Sequence, residues 1–282
     1  MTGFINVNKQ QGASSAQEVA RIRRLTGTPC GHMGTLDPMA SGVLPVAIGN
    51  AARLFDYFLS KNKTYIAVFK FGADSDTLDT TGIITSSGGR VPAPDEIVKV
   101  LKEFTGEIAQ LPPKYSAKCI NGKRGYQLAR EGVEFELSPK KVIIHDIRLL
   151  EEISKDEYSF EIECGGGTYI RSIARDLGAR LETSAIMSAL VRTKSGPFTL
   201  ENSVQSSRLT PQNLSDYIIN TQDVLSFQSI YPSATDAKKL LNGLSVGCDK
   251  EDGIYKFFDA DGSFYGLAEV KQNVLKVRTK LC

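Results

Sequence analysis

The 282-residue chain has no tryptophan and only two histidines, and its five cysteines stand singly along the sequence. Isolated cysteines predict reduced thiols rather than a disulfide framework or a Cys-x-x-Cys metal knuckle. Two histidines, His32 and His145, are too few to build a histidine-rich metal site. We therefore expect chemistry that needs no metal ion.

Long apolar runs are also absent, since no stretch of about eighteen apolar residues occurs. The segment 1–9 lacks the basic and then apolar pattern of a signal peptide. We expect a protein of the cytoplasm that does not bind a membrane. The hydrophobic content of 41% over 282 residues is enough for a sizeable core.

The net charge is only +2, and a whole-chain average of that size does not identify a nucleic-acid-binding protein. In the segment 114–141, however, basic residues outnumber acidic ones, and Tyr115 and Tyr126 lie among them. Cations interleaved with aromatic rings suit an RNA backbone with exposed bases, although such a run is also typical of a solvated surface. The candidate backbone-binding residues are Lys114, Lys118, Lys123, Arg124 and Arg130.

The spacing of apolar residues predicts a mixture of helices and strands. A helix is expected from Ser14 or Ser15 to a stop at Gly27. Both faces of segment 64–71 are largely apolar, which predicts a strand in the middle of a sheet. Further strands are expected at 4–7, 142–150 and 158–164, helices at 92–105 and 169–181, and surface loops with a linker at 199–221. Beyond the linker, a short helix at 234–241 and three strands up to 279 predict a small β-rich unit.

The most distinctive segment is a loop at 31–45 that is rich in glycine and proline and has one carboxylate, Asp37, near its middle. Pro38 biases Asp37 away from helical geometry. Such a loop can hold a carboxylate in place as a nucleophile or a general base. Taken alone, an ordinary Asp-Pro turn is the simpler explanation. Three glycines permit backbone conformations that are closed to other residues: Gly31, Gly34 and Gly42.

Other short blocks follow in order along the chain: GFINVNK at 3–9, KTY at 63–65, QLPPKYSA at 110–117, GTYIRS at 167–172 and LVR at 190–192. Together with the loop at 31–42, they resemble the TruB family of tRNA pseudouridine-55 synthases. Any single block is weak evidence, but their order is specific. The resemblance covers residues 3 to about 200, and the tail resembles a compact PUA-type module. One departure is Lys9-Gln10, where the family has Lys-Pro, and it is expected to loosen the turn after the first strand.

The resemblance implies roles for six residues. The catalytic residues would be Asp37 as the essential carboxylate, Tyr65 as the ring that stacks on the target base, and Arg171 as the charged partner of Asp37. The substrate contacts would be His32, Tyr65, Tyr169 and Leu190. A guanidinium beside a carboxylate favours its ionised form, and a stacked ring keeps water from a cleaved sugar. Without the blocks, Tyr65 is an ordinary core tyrosine and Arg171 an ordinary arginine on a helix surface.

The implied reaction is the isomerisation of uridine to pseudouridine at position 55 in the T-loop of tRNA. The N1 glycosidic bond breaks, the base turns, and C5 joins the same sugar, so no cofactor is required. The carboxylate could attack the sugar, attack the base or remove a sugar proton, and the sequence does not distinguish these routes. Because the target uridine is stacked, it must be flipped out at a cost of about a few kcal/mol. His32 is the candidate to fill the gap, since imidazole both stacks and forms hydrogen bonds.

The expected architecture is α/β in the α+β sense, with a mixed, mostly antiparallel central sheet and flanking helices. Residues 1–222 would form the catalytic domain, with an RNA-facing insertion at about 90–140, and residues 223–282 a small β-rich PUA-like RNA-binding module. The expected partner is the T-stem-loop of tRNA, bound by a monomer without an obligatory protein or guide RNA.

Three alternatives to this interpretation stay open. The first is a guide-RNA-dependent enzyme of the same superfamily, and the second is an RNA-binding or tRNA-folding protein without catalysis. The third is a nucleoside hydrolase that releases uracil. The lack of a second carboxylate in a matched block argues against a two-carboxylate glycosidase.

Overall fold

A computed structural model describes residues 1–86, 89–115, 119–120, 123–133 and 135–281, with only the chain path given for residues 119, 120, 123, 124, 126, 129 and 130. Within these ranges the α-helices are α1 (Ser15–Thr26), α2 (Phe55–Leu59), α3 (Pro94–Leu101), α4 (Gly125–Arg130), α5 (Ile170–Arg180) and α6 (Ala234–Leu241). None of these helices is both long and apolar enough to cross a lipid bilayer.

The strands of the first 199 residues are β1 (Gly3–Lys9), β2 (Cys30–His32), β3 (Ser41–Ile48), β4 (Lys63–Phe71), β5 (Ala73–Ser75), β6 (Ile84–Ser86), β7 (Gly106–Gln110), β8 (Cys119–Ile120), β9 (Lys123–Arg124), β10 (Lys140–Ser154), β11 (Glu157–Cys164), β12 (Ala185–Ser195) and β13 (Phe198–Thr199). Nine of them form one sheet in the order β1-β3-β12-β4-β11-β10-β7, with β2 beside β3 and β13 beside β12. The β3–β12 pairing is parallel and the other pairings in this sheet are antiparallel. The expected mixed, mostly antiparallel sheet is confirmed.

Strand β4 lies between β11 and β12, which confirms its predicted central position. Its odd-numbered residues are buried and its even-numbered residues half-buried. The buried face packs against α1, α3 and α5, whose Ile22, Ile97 and Ile173 share one apolar cluster with Phe69. Helix α1 begins and ends as predicted: the Ser14 hydroxyl caps its first turn, and Gly27 closes it with a φ of 63°.

Several segments differ from the sequence predictions. The ends of the predicted loop at 31–45 belong to β2 and β3, so the loop itself spans only residues 33–40. Strand β12 is not predicted, because two register shifts against β4 interrupt the alternation of its buried residues. The segment 199–221 is expected to be a surface linker, but it covers the open edge of β1. Backbone hydrogen bonds join Val204 to Asn6 and Asn8, and Ile219 to Phe4. An edge strand has unpaired backbone groups, and this segment satisfies them.

The remaining strands are β14 (Ser229–Ile230), β15 (Val246–Gly247), β16 (Gly253–Phe258), β17 (Phe264–Lys271) and β18 (Val274–Lys280), paired in the order β14-β16-β17-β18-β15. This sheet and α6 enclose their own apolar cluster, as the prediction of a β-rich unit requires. A second cluster joins Leu267 and Leu281 of this unit to Phe4, Phe58 and Phe198. The tail therefore packs against the first part of the chain. The domain boundary at 222 stays a prediction.

Candidate active site

The loop that contains Asp37 connects two adjacent strands. Strands β2 and β3 pair antiparallel, with His32 opposite Val46, and residues 33–40 lie between them. The backbone N–H of Ala40 donates to the Asp37 carbonyl (3.0 Å), and that of Gly12 donates to the Pro38 carbonyl (2.8 Å). The backbone around Asp37 is thus fixed by bonds within the loop and from the turn after β1.

Glycine is required at the start of β3 because two strands approach closely there. Gly42 has a φ of 102°, and a Cβ at this position would lie 2.3 Å from the carbonyl oxygen of Arg192 on β12. This contact occurs where β3 and β12 pair in parallel. Gly34 also adopts a positive φ, of 140°, whereas Gly31 lies in β2 without one. The expected use of glycine's conformational freedom is therefore seen at two of the three positions.

Arg171 lies directly beside Asp37. Its Nε is 3.0 Å from Asp37 Oδ2, and 7% of the arginine side chain is exposed against 35% of the aspartate. Its Nη1 donates to the Thr77 carbonyl and its Nη2 to the Tyr115 carbonyl, both at 2.9 Å. All three guanidinium nitrogens are engaged, so the planar fork has one orientation. The structure brings together the two charged residues that the sequence pairs.

A second carboxylate, which is not among the predicted site residues, lies on the other side of Arg171. Asp79 Oδ2 is 3.5 Å from Arg171 Nη1, and the Asp79 side chain is only 4% exposed. Asp79 Oδ1 accepts hydrogen bonds from the Thr77 hydroxyl (2.7 Å) and from the N–H (2.9 Å) and hydroxyl (2.5 Å) of Thr81. Arg171 occupies the first turn of α5, where the helix dipole disfavours a cation. Two carboxylates offset this effect.

Tyr65 and Leu190 form an apolar part of the candidate site. Both are buried, and they belong to the same apolar cluster as Leu36, the neighbour of Asp37. Leu190 on β12 pairs with Ala67 on β4, two residues along the strand from Tyr65. Burial raises the pKa of the Tyr65 hydroxyl; Arg192 opposes this shift and the charge of Asp37 adds to it. Tyr65 therefore stays a neutral phenol at physiological pH.

Arg192 holds the Asp37 loop through backbone carbonyls. In the sequence it has no predicted role beyond its place in the LVR block at 190–192. Its side chain is fully buried. The guanidinium donates to the carbonyls of Val43 (2.7 Å), Gly34 (3.0 Å) and Thr35 (3.4 Å). A buried arginine that is bonded to three carbonyls of one loop and strand is a structural clamp. The signal in the sequence is a cation that directly follows the apolar pair Leu190-Val191.

Lys9 ties the turn after β1 to the same loop. Its Nζ donates to the carbonyls of Ala13 (2.6 Å), Gln10 (3.0 Å) and Pro38 (3.3 Å). Burial lowers the pKa of Lys9 to about 8, while the nearby carboxylates of Glu18 and Asp37 oppose that shift. The turn is expected to be loose because glutamine replaces proline at position 10. These three bonds hold it instead.

The other predicted site residues that the structure describes are half-buried or exposed. His32 is half-buried at the end of β2. Tyr169 is half-buried just before α5, where the Gln110 amide bonds its backbone N–H (2.8 Å) and carbonyl (3.1 Å). Lys114 is exposed. Lys118 lies outside the described residues, as do the side chains of Lys123, Arg124 and Arg130. The basic surface stays a prediction.

No group of three or more His, Cys, Asp or Glu side chains comes together in a metal-binding arrangement among the residues that the structure describes. The segment between β4 and α3 contains three aspartates, Asp74, Asp76 and Asp79, of which Asp79 belongs to the site. That residue pairs with a guanidinium rather than with other carboxylates.

Comparison with known proteins agrees with this fold and site. The profile of the TruB family pseudouridylate synthase N-terminal domain matches residues 23–170. A tRNA pseudouridine synthase B from Clostridium novyi is 39% identical over 290 residues and covers 100% of both chains. One from Borrelia garinii is 39% identical over 246 residues and covers 86% of each chain. In the crystal structure of a Cbf5-Nop10-Gar1 complex, one chain superposes with a TM-score of 0.74 at 25% identity, covering 99% of this chain and 85% of that one.

The family profile and the full-length relatives identify this chain, with its mixed sheet and its Asp37–Arg171 pair, as a pseudouridine synthase. The chain belongs to the TruB family. Because the structural match covers nearly the whole chain, it also confirms the expected fold class, including the small PUA-like β module at the carboxy terminus.

Proposed function

We propose that this pseudouridine synthase isomerises uridine 55 in the T-loop of tRNA, with Asp37 as the carboxylate that starts glycosidic cleavage. One observation carries the proposal: Asp37 is held 3.0 Å from the buried Arg171 guanidinium, yet 35% of its side chain stays exposed. A carboxylate that is fixed on one side and open on the other can meet a substrate entering from solvent. Relatives over the full chain length are named tRNA pseudouridine synthase B, which supports tRNA as the substrate.

The surrounding residues suit the steps of this reaction. Arg171 holds Asp37 in one orientation through its Nε, and Asp79 pairs with Nη1 of the same guanidinium. Tyr65 offers a flat face for the target base, and together with Leu190 it excludes water from the cleaved sugar. Because Asp37 is partly buried beside Arg171, the target base must leave its stack to reach the carboxylate. We assign His32 to fill the vacated position and Tyr169 to contact the substrate.

The proposed partner is tRNA alone, bound by a monomer through its T-stem-loop, with Lys114, Lys118, Lys123, Arg124 and Arg130 contacting the backbone. One structural relative comes from a Cbf5-Nop10-Gar1 complex. The relatives with the higher sequence identity are named as tRNA enzymes instead. This difference favours a stand-alone enzyme over a guide-RNA-dependent one.

The test is pseudouridine mapping in an unmodified tRNA transcript after treatment with the purified protein, with no other protein, RNA or cofactor added. Wild-type protein should modify position 55 and leave a transcript with cytidine at that position unchanged. Asp37→Asn keeps the shape of the side chain and removes its charge, so the rate should fall by at least about 100-fold.

Three results would contradict the proposal. Undiminished turnover by Asp37→Asn would mean that the carboxylate is only structural. Release of free uracil would identify a hydrolase. Modification that requires an added guide RNA would place the chain with the guide-dependent enzymes.

A further inference from the structure

The residue just before Asp37 is held by a hydroxyl group from α1. Ser15 Oγ donates to the Leu36 carbonyl and accepts from the Leu36 N–H, and both distances are 2.9 Å. The Leu36 carbonyl belongs to the peptide group that joins Leu36 to Asp37. One side chain therefore fixes the two peptide planes that lead into the aspartate.

The support for this contact is rigid. Ser15 is 3% exposed and is the first residue of α1, whose N-terminus is capped by the neighbouring Ser14 through a capping box with Gln17. Ile22, about two turns further along the same face of the helix, is fully buried in the core. A site built on a capped and packed helix is held more closely than one built on loop contacts alone.

We propose that Ser15 is a positioning residue for catalysis: it sets the Asp37 backbone so that the carboxylate meets both Arg171 and the substrate. The inference rests on the proposed role of Asp37. Ser15 itself touches neither substrate nor the reacting carboxylate, and its effect passes through the Leu36 peptide. Pro38, which follows Asp37, has its own bonds from Gly12 and Lys9, and Arg192 still holds the carbonyls of Gly34 and Thr35. Losing Ser15 therefore frees only the peptide group that joins Leu36 to Asp37.

The substitution Ser15→Ala isolates this contact. Alanine is the better helix former, and the Ser14 cap is left in place, so α1 itself is not weakened. The Leu36 N–H and carbonyl lose their partner, and the loop relaxes before Asp37. A displacement of about 1 Å at a catalytic group can lower the rate by about 100-fold. With the Pro38 side still held, we expect kcat to fall by about 10- to 100-fold.

The chain offers a matched control one residue away. Ser14→Ala removes the capping bond to the Gln17 N–H (3.2 Å) but no contact with the loop. It should lower the melting temperature and leave kcat within about twofold of wild type. Both variants are compared with wild type in pseudouridine formation on the tRNA transcript, well below all three melting temperatures, with kcat, KM and RNA affinity measured separately.

A fall in kcat for Ser15→Ala alone, with KM and RNA affinity unchanged, supports the inference. Equal losses in both serine variants would show that only helix stability matters, and a kcat for Ser15→Ala within twofold of wild type would show that Leu36 needs no clamp; either result overturns it. Asp37→Asn in the same assay tests the proposed function separately. If that variant is inactive while Ser15→Ala is unaffected, the function stands and the positioning role fails.

Discussion

Replacing Arg171 by methionine should separate the structural role of the charge pair from its catalytic role. The substitution removes hydrogen bonds to two backbone carbonyls and leaves Asp79, with a side chain only 4% exposed, without its cation. Breaking a buried charge pair by removing one partner costs about 3–5 kcal/mol. For a chain of this size each kcal/mol corresponds to roughly 2–4 °C, so the melting temperature should fall by about 6–20 °C.

The second substitution of the test is Asp79→Asn. Asparagine has the same shape, and its carbonyl oxygen can still accept from Thr77 and Thr81. In the wild type it should destabilise, because Arg171 loses a partner. In the Arg171→Met background it should stabilise by about 1–3 kcal/mol, because it removes an unpaired buried charge. Turnover should stay lost in the double variant, since Asp37 remains unheld.

Thermal melts and urea titrations give the four stabilities of this cycle, and pseudouridine formation gives the four rates. The control is Arg180→Met on the same helix: Arg180 is 59% exposed and pairs with Glu103 on the surface, so the loss should stay below about 1 kcal/mol. If Asp79→Asn destabilises both backgrounds by the same amount, Arg171 does not compensate the Asp79 charge. In that case the assignment of Asp79 as a charge partner of Arg171 is wrong.

Three further predictions concern the ring, a buried lysine and the basic segment. Tyr65→Ala should slow turnover by at least about 100-fold while RNA affinity changes little, and a matching loss of affinity would contradict the stacking role. Burial lowers the pKa of Lys63 from 10.5 to about 8, so between these values the unfolded chain holds more protons and the free energy of unfolding rises with pH. Lys63→Met should lose up to about 1.4 kcal/mol of that rise per pH unit in urea titrations above pH 8, and parallel curves would refute it. Neutralising Lys118, Lys123 and Arg124 should weaken tRNA binding and reduce its log–log salt slope by up to about 0.9 per lost phosphate contact, whereas an unchanged slope would exclude backbone contacts.

Local signals predict much of the fold. The Ser14 cap, the Gly27 stop and the apolar spacing between them define α1 to within one residue. The two apolar faces of β4 correctly indicate a central strand, since each face of a central strand is covered. Strand β12 is not predicted, because its register shifts and its buried arginine break the period that identifies a strand.

The residues of the site likewise fall into those that the sequence indicates and those that only the fold shows. The glycine- and proline-rich loop marks Asp37 as a fixed carboxylate, because the backbone effects of these residues are local. The catalytic interpretation comes from the ordered blocks elsewhere in the chain, since the loop alone also fits an ordinary turn. Asp79 carries no such signal: in the sequence it is one of several aspartates in a turn-rich connection. Its role depends on the fold bringing the connection after β5, helix α5 and the Asp37 loop together, so that Asp79 and Asp37 pair with different nitrogens of Arg171.

Ser15 and Arg192 show why positioning residues are the hardest to predict. Each acts through backbone atoms of the Asp37 loop, Ser15 at Leu36 and Arg192 at Gly34 and Thr35. Backbone carbonyls are present in every residue, so the sequence does not show which carbonyl will be bound. It shows only the polar side chain that binds it. A buried serine or arginine must find hydrogen-bond partners, because an unpaired polar group in the interior costs about 1–3 kcal/mol. Only the fold shows that Ser15 and Arg192 are buried and that both hold the Asp37 loop.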